Sequence, residues 1–130
     1  MGKRVERFED LIAWQKARQL AAAIYRATSV GGFAKDFGLR DQIQRATISI
    51  MANIAEGFDC DSNIEFGRFL GYARRSAAEV QSLLYTAYDL GYINEVDFRE
   101  CFDQAVKTKA LIGGFIHFLK KSSKKMSPDK

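Results

Sequence analysis

The sequence has little of several residues that mark particular classes of protein. Its 130 residues include one proline, two cysteines and one histidine. With one proline and ten glycines, the composition excludes a collagen-like or proline-rich chain. No apolar run approaches the roughly 18 residues that span a membrane, and the first ten residues, MGKRVERFED, turn acidic where a secretory signal turns apolar. We therefore expect a single cytoplasmic domain with no membrane segment.

Cysteine and histidine are too few for most disulfide or metal chemistry. Cys60 and Cys101 do not make a disulfide framework, and the single histidine, His117, argues against a zinc site. We expect Cys101 on a core face and His117 packed between helices. No glycine-rich loop follows a strand, and no Glu-x-x-His pair occurs. The sequence therefore predicts neither a cofactor nor enzyme activity.

The positive charge is concentrated at the C-terminus. The formal net charge is +4, and residues 120–130 contain five lysines and one aspartate. Residues 1–119 are left with equal numbers of basic and acidic side chains. We predict a bundle domain over residues 1–119 and a basic, flexible tail over residues 120–130. This tail is either a solvated lysine segment or a nucleic-acid contact, and its sequence leaves both open.

Four segments have apolar residues at helical spacing, and none shows the alternation of a strand. The predicted helices cover roughly residues 8–28, 38–58, 63–90 and 94–120. Gly57 is expected to close the second helix. Ser62 and Glu65 predict a capping box at the start of the third, and Gly91 a C-cap at its end. The short connections favour an all-α protein, an antiparallel up-and-down four-helix bundle.

Apolar side chains also lie outside the inner faces of these helices. Ile48 and its neighbours point away from the inner stripe of the second helix, and Leu111 and Phe118 do so on the fourth. A bundle needs one apolar stripe per helix, so the surplus predicts contacts between copies of the chain. The candidate oligomer interface comprises Ile48, Ala52, Ala55, Glu56, Glu79 and Leu83.

Polar residues on the third predicted helix allow two interpretations. Arg68, Tyr72 and Arg75 recur at spacings of three and four, which places a basic and aromatic row on one face. The row could contact RNA phosphates and bases. It could also pair locally, with Arg75 bridging to Glu79 one turn later. A nuclease centred on Glu56 and Glu79 is a further alternative. The candidate nucleic-acid site comprises Arg68, Tyr72, Arg75, Lys120, Lys121, Lys124 and Lys125.

Several groups of residues resemble a known family when they are taken in register. The groups are Phe8-Glu9-Asp10-Leu11, Trp14-Gln15-Lys16-Ala17, Gly38-Leu39, Gln42-Ile43, Ser49-Ile50, Asn53-Ile54-Ala55-Glu56-Gly57, Glu65-Phe66, Phe69-Leu70, Ala73, Ser76, Glu79 and Leu90-Gly91-Tyr92-Ile93. With them, about residues 8–120 resemble the four-helix-bundle proteins encoded in intervening sequences of bacterial 23S rRNA genes. The chain is also similar to the accessory proteins of diversity-generating retroelements, which work with a reverse transcriptase and RNA.

The resemblance implies a bundle that assembles into a ring, commonly a homopentamer, and it brings no catalytic residues. The partners it implies are other copies of the chain and structured RNA or a nucleic-acid enzyme. Met51 stands where the family often has proline, which predicts an unkinked second helix. Gln44 and Arg75 replace a common arginine and glycine. The leading hypothesis is a non-enzymatic homo-oligomer associated with RNA, and the alternative is a protein-interaction scaffold that binds no nucleic acid.

Overall fold

The computed structural model describes residues 5–126, and side chains as far as Ser122. Within this range the chain is helical, with short turns and no strand. A 3-10 turn at Phe8–Asp10 precedes the helices α1 (Ile12–Ala27), α2 (Gly31–Lys35), α3 (Phe37–Phe58), α4 (Asn63–Asp89) and α5 (Glu95–Met126). No helix of the described range combines the length and apolarity that crossing a membrane requires.

The four long helices form the predicted bundle. Each packs against two neighbours: α3 against α1 and α4, and α5 against α4 and α1. Early residues of α4 meet late residues of α5, since the rings of Phe66 and Phe115 are 5.0 Å apart. Late residues of α4 meet early residues of α5, with Tyr85 and Phe102 at 5.2 Å. Neighbouring helices are therefore antiparallel, and the expected up-and-down topology is confirmed.

The core follows the helical periodicity of the sequence. Leu20, Ile50, Leu70 and Ile112 are fully buried, one from each long helix. Near the end of α4, Ala87 is fully buried and Tyr88 is 39% exposed. The 3.6-residue repeat allows either residue to follow Leu84 inward. The smaller alanine fits between helices, and the Tyr88 ring instead packs against Phe98 at 5.0 Å.

The first predicted helix is interrupted at Leu11. This residue has an extended conformation (φ −74°, ψ 126°) and separates the 3-10 turn from α1. The interruption buries the Leu11 side chain and brings the Phe8 ring to 5.1 Å from Trp14. The interruption therefore breaks the helix but adds the apolar contacts of Leu11 and Phe8.

The short helix α2 lies where the sequence predicted only a break. Gly31 has φ +60°, a conformation that glycine adopts readily, and it begins the helix. α2 places Phe33 fully inside the core, where it stacks on Tyr92 at 5.7 Å. Asp36 then caps α3, because Leu39 N donates to Asp36 Oδ1 at 3.1 Å. The Tyr92 hydroxyl donates to the other oxygen, Oδ2, at 3.0 Å.

The connection between α3 and α4 depends on a close approach at Gly57. The glycine lies inside α3, which continues to Phe58, so its predicted role as a terminator is wrong. Gly57 is buried, and a Cβ added there would lie only 2.8 Å from Phe69 Cβ. Ser62 caps α4 as predicted, with Glu65 N donating to Ser62 Oγ at 3.1 Å. The second bond of the capping box does not occur among the described residues, where the Glu65 carboxylate pairs with Arg68 instead. Gly91, with φ +76°, follows the end of α4 as expected.

α5 is longer than its predicted extent and passes Lys120 to reach Met126. The sequence has no glycine or proline between Gly114 and Pro128, so nothing stops the helix earlier. Lys120 and Lys121 therefore lie on the helix. The side chains of Lys124 and Lys125 fall outside those that the structure describes. The division into a bundle domain and a basic tail stays a prediction.

α3 runs without a break through Met51, as expected.

Candidate assembly and nucleic-acid surfaces

A polar seam joins α3 to α4. Ser76 Oγ donates to Ser49 Oγ at 3.0 Å, and the Gln42 amide donates to the Glu79 carboxylate. Glu79 therefore has a partner within its own chain, and the salt bridge expected from Arg75 does not occur among the described residues. The seam fixes the register of two helices that approach closely at Gly57.

Glu56 and Glu79 do not form one centre. Glu56 adjoins Gly57, which packs against Phe69 of early α4, whereas Glu79 bonds to Gln42 near the other end of α3. The fourteen residues from Gln42 to Glu56 correspond to roughly 21 Å of helix. Within one chain the two carboxylates are therefore too far apart to form a shared nuclease centre. No group of three or more His, Cys, Asp or Glu side chains within the described residues could hold a metal ion.

The candidate oligomer residues separate into two places. Ile48 is 44% exposed on the outer side of α3. Ala52 and Ala55 are half-buried on the same side, and these three residues are here called the α3 stripe. Glu56 is exposed beside it. Leu83, in contrast, packs against the core, and Glu79 belongs to the seam. The α3 stripe is thus the part of the set that remains free for a second copy.

A larger apolar surface lies between α1 and α5. Ile12 is 56% exposed and Phe118 is 60% exposed. They face each other across an open groove of about 840 Å³, called here the apolar groove. Its lining comprises Ile12, Ala13, Ala110, Leu111, Gly114, Phe115 and Phe118, with Lys16 and Lys107 at its border. The sequence singled out Leu111 and Phe118, but it could not pair them with α1. Exposed apolar patches of this kind mark interaction sites.

The basic and aromatic row of α4 is present on its outer side. The Arg75 guanidinium lies over the Tyr72 ring, 5.8 Å from its centroid, and Tyr72 is 41% exposed. Arg68 Nη1 is 3.2 Å from Glu65 Oε2 in a half-exposed ion pair. Such a pair contributes little to stability, so Arg68 can leave Glu65 for another anion at a small cost in free energy. The row is accessible along its length.

Arg68 also borders a second groove, which the sequence did not indicate. This basic groove, between α4 and α5, has a volume of about 440 Å³. The Arg74 side chain extends towards α5. Its Nη1 atom lies 3.8 Å from the position that a Cβ on Gly113 would occupy. Sequence reasoning missed Arg74 because it is rotated about 100° from Arg75 and so leaves the row. The lining comprises Asn63, Ile64, Gly67, Arg68, Gly71, Arg74, Ile116, Leu119 and Lys120.

Charge is segregated over the same two helices. Residues 66–78 of α4 and 104–122 of α5 contain three arginines and four lysines, with no aspartate or glutamate. These segments pack side by side, as the contact of Phe66 with Phe115 shows. Although residues 1–119 have no net charge, these two adjoining segments therefore form a region without carboxylates. The basic surface includes residues of the body as well as the terminal lysines.

Neither thiol is set up as a nucleophile. Burial raises the pKa of the Cys101 thiol to about 11, with smaller effects from Glu100 and Asp97. Desolvation, followed by nearby carboxylates led by Glu65, also raises the pKa of Cys60. Reactive cysteines have a lowered pKa.

His117 is exposed, so its predicted place between helices is wrong. Ile116 and Leu119 occupy the inward positions around it.

A family model describing the 23S rRNA-intervening sequence proteins matches residues 9–114. The chain belongs to the 23S rRNA-intervening sequence protein family. The match covers α1, α3, α4 and most of α5, so the resemblance drawn from the sequence motifs is confirmed. Arg68, Tyr72, Arg74 and Arg75 lie inside the region shared with the 23S rRNA-intervening sequence proteins, and Lys120 lies beyond it.

Solved structures support the fold of this family member. One is the crystal structure of a protein with unknown function from the S23 ribosomal protein family of Bacteroides thetaiotaomicron. It superposes with a TM-score of 0.76 at 23% identity, over 82% of this chain and 96% of that one. At this identity the similarity shows the shared fold. A comparison with curated proteins finds no match.

Proposed function

We propose that this 23S rRNA-intervening sequence protein is a non-enzymatic cytoplasmic bundle that assembles with copies of itself, as a homopentameric ring, and works in association with RNA. The apolar groove carries the assembly part of this proposal. Ile12 and Phe118 are both more than half exposed, although burying a side chain of this size stabilises a protein by roughly 1.5–3 kcal/mol.

The arrangement of the two apolar surfaces favours a ring. A closed ring of identical subunits needs two different patches on each copy, one for each neighbour. The apolar groove lies between α1 and α5. The α3 stripe lies on a helix that packs against α1 and α4 and lies diagonally opposite α5. The two surfaces face different sides of the bundle, which suits a head-to-tail contact.

Two observations support the RNA part of the proposal. The family is described by its occurrence in intervening sequences of 23S rRNA. In addition, the adjoining segments of α4 and α5 carry only positive charge, and phosphate neutralisation supplies most sequence-independent affinity for nucleic acids.

Light scattering coupled to size exclusion tests assembly. The wild type should elute with the mass of a ring of five copies at micromolar concentration. Phe118→Glu should lower that mass, because it places a charge in the apolar groove. Val96→Glu is the matched control, since Val96 is 73% exposed outside both apolar surfaces. A monomeric wild type would contradict the proposal.

RNA association is tested by measuring the affinity for a structured RNA at several salt concentrations. Affinity should fall steeply as salt rises, because bound cations release counterions from the phosphates. Replacing Lys120, Lys121, Lys124 and Lys125 with glutamine should reduce the slope. The absence of binding at low salt would refute this part of the proposal.

A protein-interaction scaffold is the second candidate. Lys16 and Lys107 border the apolar groove, an arrangement that suits an amphipathic helix with acidic flanks. If this function holds, the purified protein should show no nucleic-acid absorbance. A protein partner should be captured by the wild type and by Val96→Glu, and lost with Phe118→Glu.

A further inference from the structure

We propose that the basic groove between α4 and α5 binds single-stranded nucleic acid, with phosphates in the groove and an unpaired base stacked on Tyr72. The inference rests on the RNA part of the proposed function and assigns it a place and a form of ligand. It draws on three features of the surface: the convergence of cations, the open helix backbone and the exposed Tyr72 ring. Tyr72 lies outside the groove lining, on the next face of α4, and Arg68 belongs to both the groove and the row of Tyr72.

The cations come from both helices and converge on one groove. Arg68 and Arg74 project from α4, and Lys120 projects from α5. No carboxylate belongs to the lining. Among the ion pairs of the described residues, only that of Arg68 with Glu65 involves one of these three side chains. Arg74 and Lys120 therefore offer positive charge that no ion pair of the described residues neutralises.

The shape of the groove admits a polymer backbone. Gly67 and Gly71 lie one turn apart on α4, and a Cβ at either position would meet nothing within 4 Å. The helix surface is therefore bare between Arg68 and Arg74. Ile116 and Leu119 form an apolar floor on the α5 side. The volume of about 440 Å³ is within the roughly 300–1,000 Å³ of ligand sites.

The aromatic ring indicates which polyanion fits. Tyr72 is 41% exposed, and the Arg75 guanidinium lies over its ring. Unpaired bases stack on aromatic rings and on arginine planes, while phosphates follow a positively charged groove. A duplex keeps its bases paired, and an acidic peptide has no base to stack. The combination of ring and groove therefore favours a single strand.

The charge test uses a short labelled single-stranded RNA and fluorescence anisotropy across salt concentrations. Replacing Arg68, Arg74 and Lys120 with glutamine should weaken binding at low salt by roughly tenfold or more, and should reduce the logarithmic salt slope by about 2. The matched control replaces three exposed cations elsewhere, Arg18, Arg26 and Arg99, and should retain nearly the wild-type slope.

A steric test changes no charge. Gly71→Met should fill the groove while improving the helix propensity of α4, so the variant should be at least as stable as the wild type and bind RNA more weakly. Tyr72→Leu should reduce the affinity for the single strand by about fivefold or more. The same sequence annealed into a duplex should bind more weakly than the single strand.

The outcomes separate this inference from the proposed function. If the wild type binds no RNA at low salt, RNA association itself fails, and the groove assignment fails with it. If the wild type binds and the groove variants match the triple control, RNA association stands and the groove assignment is overturned. A duplex or polyglutamate that competes as well as the single strand would overturn the assignment to unpaired bases. Single-stranded DNA in parallel distinguishes the two nucleic acids.

Discussion

A β carbon on Gly57 would lie 2.8 Å from Cβ of Phe69, closer than such atoms approach in proteins. α3 and α4 therefore pack tightly beside the turn that joins them. Gly57→Ala should lower the free energy of unfolding by about 1–3 kcal/mol through overpacking, despite the better helix propensity of alanine. Urea denaturation of the two proteins measures the difference.

Gly71→Ala is the matched control for this substitution. Gly71 is also inside a helix, but its Cβ would meet nothing within 4 Å. It should therefore stabilise the protein by roughly 0.5–1 kcal/mol. Equal effects of the two alanine variants would contradict the close packing at Gly57.

Asp36 joins two parts of the chain through its two carboxylate oxygens. One caps α3 through Leu39 N, and the other accepts from the Tyr92 hydroxyl. Asp36→Ala should cost about 0.5–2 kcal/mol through loss of the cap alone. Tyr92→Phe should lower the urea midpoint less, since the cap remains.

The two changes should not add. Once Asp36 is replaced, the Tyr92 hydroxyl has lost its acceptor, so removing the hydroxyl should have little further effect. A double-mutant cycle measures this coupling. Strict additivity would show that the hydrogen bond contributes nothing in solution.

The two thiols should differ in their reaction with a disulfide reagent at pH 8. Cys101 is buried, and its pKa is raised to about 11, so its thiolate is scarce and shielded. Cys60 is half-buried in the turn after α3 and should react first. Labelling followed by mass spectrometry identifies the thiol, and denaturant should expose Cys101.

The same pKa shift predicts a change of stability with pH. The folded state holds the Cys101 proton more tightly than the unfolded state does. This contribution is complete below pH 9 and is lost as the pH rises towards 11. Between pH 8 and pH 10.5, the urea midpoint of the wild type should therefore decrease more than that of Cys101→Ala. Equal decreases would refute the raised pKa of Cys101.

Ile48→Glu should weaken assembly without unfolding the subunit. Ile48 is the most N-terminal residue of the α3 stripe and is 44% exposed, and a carboxylate there would lose its water on contact with a second apolar surface. Sedimentation velocity should show smaller particles with unchanged helix content. An unaltered sedimentation profile would remove the α3 stripe from the interface.

The sequence predicted what depends on repetition along one helix. The recurrence of Ile43, Ile50 and Ile54 specifies the inner side of α3 without any knowledge of its neighbours, and all three are buried. The cap at Ser62 is similarly local. The interruption at Leu11 and the short helix α2 were missed, since burying Leu11 and Phe33 depends on packing against distant segments.

The surfaces required information that no single helix contains. Arg74 belongs to the basic groove because Gly113 of α5 lies opposite it, and Lys120 of the same helix also lines that groove. Ile12 borders the apolar groove because Phe118 lies across from it. Each pairing depends on the register between helices, which helical periodicity alone does not set.

The meeting of Ile12 and Phe118 in one groove also has a consequence for the order of folding. α3 and α4, and likewise α4 and α5, are joined by short turns, so their hairpins close small loops at little entropic cost. Contact between α1 and α5 must instead bring together the two ends of the chain. We expect this contact to form after the folding barrier. Ala17→Gly in α1 should then speed unfolding and leave the folding rate nearly unchanged, whereas Leu70→Ala in α4 should slow folding. Stopped-flow kinetics in urea measures both rates. If both substitutions slowed folding alike, this order of folding events would be wrong.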